Sequence, residues 1–490
     1  MMFLLNILTP LVFFFLLYLG LQIFKNNLFF IYLFQLKEYR LDRLRAHFKT
    51  LSGRRDLWHH FNLIKWKGFY RPKFTLRAIL ILFLIFFSQY NLFFSSLRLA
   101  FRFLRKFPTD SISLAASLIA ALFLINLTTP LLVLFFSLLT SWLCLPLKRL
   151  TVFLAKKKIT KMKNLLVIGV TGSYGKTAVK EILSFVLADF FKVLKTPFNC
   201  NTEVGIACQI LKKLRKSHQV FVVEMGAYQR GEIEKICQMV FPKIGIVTGI
   251  NEQHLELFGS LDKTQWAKFE LIKSLPKKGL AVFNQSDHYV QRLIKMTKIK
   301  KALYGRKRES VKVDLPGEWH QQNVQAVLAV TDFLKLSREG VLERLRELDK
   351  IPLALELKSG VKNSQLIDDS YSANPTGFFS ALDFLKKTKA KEKILVTPGI
   401  IELGAKSAEI HRAIGRKASR ICTKIFLTKR DFQKDFQKGM AGKKSENFLE
   451  IEEDEVELFE KIKELISERT VVLFEGRMPG RLVRRLTSHD

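Results

Sequence analysis

Residues 169–183 read "GVTGSYGKTAVKEIL" and follow directly on the apolar run "NLLVI". That run has the composition of a short buried strand, and "AVKEILSFVLADF" behind it has the apolar period of an amphipathic helix. Between them lies a glycine-rich turn ending in Gly-Lys-Thr. Such a turn lets successive backbone N–H groups point at phosphate oxygens, adds the partial positive charge of a helix N-terminus and sets a lysine to reach the terminal phosphates. The usual phosphate-loop pattern places a glycine five positions before Gly175; Val170 stands there, so the loop is a variant. Thr171, Gly172, Ser173, Tyr174, Gly175, Lys176 and Thr177 are the expected nucleotide-binding residues, with the Thr177 hydroxyl placed to ligate magnesium.

Working outward, the first 150 of the 490 residues have a different character. Residues 3–24 carry no charge and are long enough to cross about 30 Å of hydrocarbon. They lack the basic start and small-residue cleavage site of a signal peptide, so a retained span is expected. A second uncharged run covers residues 78–97. A third, residues 111–147, exceeds the roughly 20 residues of one upright span, and Thr128-Thr129-Pro130 is expected to break it in two. Basic residues dominate "KEYRLDRLRAHFKTLSGRRDLWHHFNLIKWKGFYRPK" and "KRLTVFLAKKKITKMK". The positive-inside rule puts both in the cytoplasm, whereas "RLAFRFLRK" at 98–106 leaves the number of spans open. The reading is a multi-pass protein of the cell membrane in contact with its lipids, with everything downstream in the cytoplasm.

A formal charge of +36 calls for anionic partners. Nucleic acid is not expected, because the lysines are scattered along helix-like stretches with no recognisable binding module. Five cysteines, far apart and never in a Cys-x-x-Cys, fit a reducing compartment and argue against a disulfide framework or a zinc ribbon.

The loop "GVTGSYGKT" resembles that of the Mur ligase superfamily, the ATP-dependent amide-bond ligases of peptidoglycan precursor assembly and their relatives, in which the shifted glycine is normal. Further resemblances follow in family order over residues 164–480. "TPFNCNTEVGI" is similar to a substrate-contacting segment, which implies that role for Asn201 and Thr202. "VVEMGAYQRGEI" places Glu224 as a magnesium ligand, and "VTGINEQHLELFGS" places His254 near a second ion. "AKFELI" puts Lys268 where many of these ligases carry a carbamylated lysine. "IDDSYSANPTGF" resembles a motif of the D-alanyl-D-alanine-adding branch, which implies an ATP contact for Asp369 and substrate contacts for Tyr371, Asn374 and Pro375. "GIIELGAKSAEIH" aligns Glu402 and His411 with the same branch.

The resemblance implies a central P-loop ATPase of α/β class over 164–350 and a C-terminal Rossmann-like domain over 351–490, behind a membrane-helical region over 1–150. It implies ATP, two magnesium ions and a carbamate on Lys268 as cofactors. The expected reaction activates a muramyl-peptide-like carboxylate as an acyl phosphate and joins it to D-alanyl-D-alanine or a similar amine. Lys176, His254 and Lys268 form the expected catalytic set, in a cleft that closes between the two soluble domains. "KRDFQKDFQKGMAGKKSENFLEIEEDE" reads as solvated surface.

Three departures stand against the family pattern. In "LPGEWHQQN", Trp319 and His320 occupy a usual His-Asn pair, leaving Asn323 as the adenine contact. Gly249 and Asn251 stand where Asn and Gly are usual. "FEGRMPG" stands where a Lys-Gly-Ser-Arg segment is usual. The branch also normally opens with a small uridine-binding domain, and this chain shows membrane-like runs there. Other readings therefore remain: a membrane-tethered nucleotide-binding scaffold without catalysis, a ligase for a substrate outside peptidoglycan and, last, a P-loop kinase or transporter ATPase, which lacks any supporting second motif.

Overall fold

The computed structural model describes residues 2–57, 71–104, 111–305, 318–348, 355–371, 373–440, 448–478 and 480–487. It divides into two compact units, residues 1–147 and 148–490.

In the first unit, three long helices, Met2–Leu36, Leu76–Leu104 and Ser111–Leu143, pack together. Phe30, Ile31, Ile81, Ile85 and Val133 are fully buried between them. Phenylalanines and leucines such as Phe13, Phe83, Phe87, Leu131 and Phe135 point outward. By length and composition, the stretches Pro10–Leu36, Leu76–Leu99 and Ala115–Thr160 are long and apolar enough to cross a membrane. The third apolar run is one helix with Pro130 inside it, not the expected two. The hydroxyls of Thr128 and Thr129 turn back onto the Ile125 carbonyl (3.0 and 3.1 Å), one residue before the Asn126 carbonyl that Pro130 leaves without its helical donor.

Amides join the three helices inside the bundle. Asn27 and Gln89 exchange hydrogen bonds (2.9 and 3.1 Å), Gln89 also donates to Thr129 (3.1 Å), and Asn26 donates to Asn126 (2.8 Å). All five side chains are buried.

The second unit holds two sheets. Strands β1 (Leu166–Thr171), β2 (Val193–Lys195), β3 (Val220–Glu224), β4 (Ile244–Val247), β5 (Leu280–Asn284) and β6 (Lys300–Tyr304) form the first, in the order β2-β3-β1-β4-β5-β6 and parallel throughout. Apart from its two edge strands this sheet is almost wholly buried. That is why the inner strands read as continuous apolar runs rather than alternating ones. The chain leaves β1 toward one edge and, after β3, crosses to the other side. The carboxyl end of β1 is thus the switch point where a crevice opens.

Strands β7 (Glu356–Ser359), β8 (Gln365–Asp369), β9 (Glu392–Thr397), β10 (Lys424–Leu427), β11 (Leu449–Ile451) and β12 (Thr470–Glu475) form the second sheet, in the order β11-β10-β9-β12-β8-β7. Only β7 runs antiparallel to its neighbour. The segment expected to be solvated surface contributes instead to this domain's core. Helix Gln433–Met440 buries Phe436, and Phe448 and Leu449 lie in the same cluster. Its dense charges had masked an apolar face at helical spacing; residues 441–447 lie outside the described residues.

Candidate active site

The phosphate-loop motif lies at the switch point. β1 ends at Thr171, whose buried hydroxyl donates to the Met225 carbonyl (2.9 Å). Gly175, at φ +75°, is the N-cap of helix Lys176–Leu187. A left-handed backbone there would cost a residue with a Cβ roughly 1–2 kcal/mol. The Lys176 ammonium donates back to the Gly172 and Ser173 carbonyls (2.8 and 3.2 Å), curled inside its own loop. Burial lowers its pKa, and Glu224 pulls the other way.

Two neighbouring strand ends and a helix bring the next groups. Glu224 closes β3 and accepts from Thr177 Oγ1 (3.0 Å) and Asn201 Nδ2 (3.3 Å). His254 follows β4 in the left-handed region (φ +61°), and its Nδ1 lies 2.5 Å from Glu402 Oε2 of the second sheet's domain. Burial lowers the His254 pKa, while Glu402 raises it. Lys268 sits on helix Leu261–Lys273, buried, with its ammonium 5.5 Å from the Phe258 ring centre. Burial first, and the Lys176 charge second, bring its pKa down to about 7. Ser173, Lys176, Asn201, Gln253, His254 and Lys268 line one small pocket.

This donor set suits magnesium. Thr177 and Glu224 offer hard oxygen ligands to a cation that keeps several waters and takes phosphate oxygens as well. No group of three or more metal-ligating His, Cys, Asp or Glu residues occurs among the described residues. His254 and Lys268 line the same pocket, and an unmodified lysine offers no oxygen to a metal ion.

Residues 170–339 match the Mur ligase middle domain, and residues 355–478 match the Mur ligase glutamate ligase domain. The chain belongs to the Mur ligase family. Among curated relatives of this Mur ligase, the UDP-N-acetylmuramoyl-tripeptide--D-alanyl-D-alanine ligases of Rickettsia prowazekii and Escherichia coli are each 27% identical. The matches cover 53% and 62% of this chain, and 64% and 72% of theirs. The Haemophilus influenzae protein of that name is 30% identical over 51% of this chain and 60% of its own. This chain therefore spans about two thirds of the length of these relatives. A solved MurF from Acinetobacter baumannii superposes with a TM-score of 0.60 at 25% identity, over 67% of this chain and 77% of that one. MurF from Thermotoga maritima, solved with ADP, gives the same TM-score at 23% identity over 69% and 82%.

The remaining expected residues of the Mur ligase divide by location. Asn323, on helix Glu318–Phe333, is buried against the phosphate loop; a Cβ at Gly175 would lie 3.0 Å from its Oδ1. His320, its neighbour, is buried and held near pKa 4 by that burial; the Trp319 side chain and residues 315–317 lie outside the described residues. Thr202 caps helix Glu203–Lys213, accepting from Gly205 N–H. Tyr371 donates to Asn199 Oδ1 (2.6 Å). Asn374 caps helix Pro375–Lys387, with Pro375 in its first turn, and also accepts from Asn251 Nδ2 (2.9 Å) across the domain boundary. Asp369 accepts from Leu355 N–H (3.4 Å) and lies opposite Glu475 in the β8–β12 register. Burial lifts Asp369 to about 6 and Glu475 well above the carboxylate range.

Sequence reasoning left out Lys180 and gave the aligned residues Glu402 and His411 no role, and the structure draws all three in. Lys180, fully buried one turn after Lys176, lies 3.3 Å from Glu224 Oε2 and 3.2 Å from Glu181 Oε1. Its place on the same helix face as Lys176 was the available signal. His411 accepts from Ile400 N–H (3.0 Å) and hydrogen-bonds the Ser407 carbonyl (2.7 Å), holding the loop that presents Glu402. Glu402 itself stands at φ +64°, strained like its partner His254.

Proposed function

We propose that this chain is an ATP-dependent, ADP-forming amide ligase that joins D-alanyl-D-alanine, or a similar amine, to a muramyl-peptide-like carboxylate. The observation carrying this reading is the convergence of Lys176, His254 and Lys268 on one pocket, with Thr177 and Glu224 joined behind Asn201. A carboxylate oxygen of the acceptor attacks the γ-phosphorus, the bond to the β-bridging oxygen breaks, and ADP leaves. The amine then attacks the acyl carbon, loses a proton and expels inorganic phosphate.

Phosphoryl transfer of this kind depends on positioning and charge neutralisation more than on covalent help. Lys176 supplies a cation at the terminal phosphate. Magnesium, when bound, would neutralise further charge between phosphate oxygens and the Thr177–Glu224 pair. His254, tied at Nδ1 to Glu402, lines the pocket. Lys268, with a pKa near 7, holds a substantial neutral-amine fraction at neutral pH, the form that adds carbon dioxide. We assign it a carbamate, which converts a poor metal ligand into a carboxylate-like one. Asn323 is assigned to adenine, Asp369 to ATP, and Asn201, Thr202, Tyr371, Asn374 and Pro375 to the substrate side.

We place the three apolar helices across a membrane, with the ligase unit on its cytoplasmic side, because the flanking segments are basic. The test is ATP consumption by the purified full chain that requires both a muramyl-peptide acceptor and D-alanyl-D-alanine, with the amide product identified by mass. ATP binding without turnover over a panel of acceptors would sink the ligase reading in favour of a scaffold.

A further inference from the structure

Tyr174 is the bulkiest residue of the phosphate loop, and Gly249 stands directly beneath it. A Cβ at Gly249 would fall 2.1 Å from Tyr174 Cζ and 2.4 Å from its hydroxyl oxygen, so the two positions fit only as a large–small pair. The contacts around them join the phosphate loop to the segment after β4. Ser173 N–H donates to the Gly249 carbonyl (2.6 Å). Thr248 Oγ1 donates to the Thr171 carbonyl (3.1 Å) and also contacts the Tyr174 carbonyl. The Tyr174 hydroxyl donates to Asp287 Oδ2 (2.8 Å), the oxygen that also accepts from Ile250 N–H (2.9 Å). Asp287 is itself fixed, because its other oxygen caps helix His288–Lys295 through Val290 N–H (2.9 Å).

The same segment continues into the contacts with the C-terminal domain. Asn251 reaches Asn374 Oδ1 and Thr376 Oγ1 (2.9 and 3.0 Å), and His254 reaches Glu402. The exchange of Gly249 and Asn251 relative to the usual family order thus has a steric account on one side and a polar one on the other. Glycine makes room for the tyrosine ring, and asparagine spans to the neighbouring domain.

We propose that Tyr174 is a positioning residue: seated on Gly249 and tethered to Asp287, it sets the register of the phosphate loop on residues 248–251 and so prepares the loop for nucleotide. This rests on the ATP-dependent reading above. The geometry requires the two positions to act as one unit, so their substitutions must be strongly non-additive.

The experiment is a double-mutant cycle on the full chain, read by equilibrium binding of a fluorescent ATP analogue with magnesium, with thermal melting as the folding control. Gly249→Ala, which forces the ring off its seat, is expected to weaken binding by about 30-fold, and Tyr174→Ser by about 5-fold. The Tyr174→Ser/Gly249→Ala double variant is expected to bind within about threefold of Tyr174→Ser alone. Tyr174→Phe, which keeps the ring and is the safer variant for folding, isolates the Asp287 tether and is expected to weaken binding about threefold. Multiplicative losses in the double variant, or wild-type binding by Tyr174→Phe, would overturn the inference while leaving the ligase reading intact. A wild-type chain that binds no nucleotide overturns both.

Discussion

The two sheets of the ligase unit share an architecture and divide the chemistry. Both end in a crevice at the carboxyl ends of parallel strands, where ligands sit in folds of this kind. At the first sheet the strand ends gather cations: Lys176 and Lys268 line one pocket, and Lys180 lies 3.3 Å from Glu224 Oε2. At the second they gather acids and amides: Asp369 and Glu475 face each other, Asn374 reaches Asn251, and Glu402 reaches His254. The first rim is built to receive phosphate, and the second to be docked against it. One fold used twice thus yields two complementary faces, because loop residues rather than strands set the charge.

The comparison can be broken most severely on the cationic rim. Lys176→Ala is expected to lower ligation by about a thousandfold, since one preorganised charge at a transferring phosphoryl group carries effects of that order. Product formation by quantitative mass spectrometry checks this, and full activity in the variant would remove the first rim from the chemistry. On the docking rim, Glu402→Gln keeps the size of the side chain but removes the charge facing His254. Misorientation of that ring predicts a kcat lower by about 100-fold with little change in the KM for ATP. A rise in KM alone would show that the contact serves binding rather than alignment.

A third test sharpens the contrast in charge. Asp369 is lifted to about 6 and Glu475 well above the carboxylate range, so the folded pair keeps protons that the unfolded chain has already lost. Its contribution to stability is therefore complete below about pH 4 and is lost as pH rises through 6 and beyond. Glu475→Gln is expected to raise the melting temperature at pH 8 by about 3 °C and to change it little at pH 4. Equal effects at both pH values would contradict the shared-proton picture. The smallest expected effect is at Thr202. Loss of its helix cap in Thr202→Ala should cost about 1 kcal/mol in chemical denaturation. A tenfold rise in acceptor KM beyond that would add the substrate contact suggested by its neighbour Asn201.

How legible these rims were follows from the range of their contacts. The phosphate loop is local: strand, glycines, lysine and helix lie within fifteen consecutive residues, and their chemistry can be read in one dimension. Both domains' α/β pattern was legible for the same reason. Glu224, His254 and Lys268 were reached through order along a family pattern, and the fold does bring Lys176, His254 and Lys268 to one pocket. Glu475 was visible only as a departure, since nothing near it in sequence reveals that it faces Asp369 across a strand pair. Asn374 and Pro375 were read for substrate, and the structure shows that they also start a helix. The helix Gln433–Met440 was missed because its charges outnumber the few apolar residues it buries. Pro130 was read as a break because proline usually is one.

The amides within the three-helix bundle carry a mechanical consequence. Asn27 and Gln89 satisfy each other only at one rotation and one height of their helices, and Asn26 with Asn126 fixes a second point. Turning or sliding any one helix would strand several amide groups among phenylalanines, at a cost of the order of 1–3 kcal/mol for each lost partner. The bundle therefore behaves as a keyed plug rather than three greased rods, and pulling on any one helix moves all three.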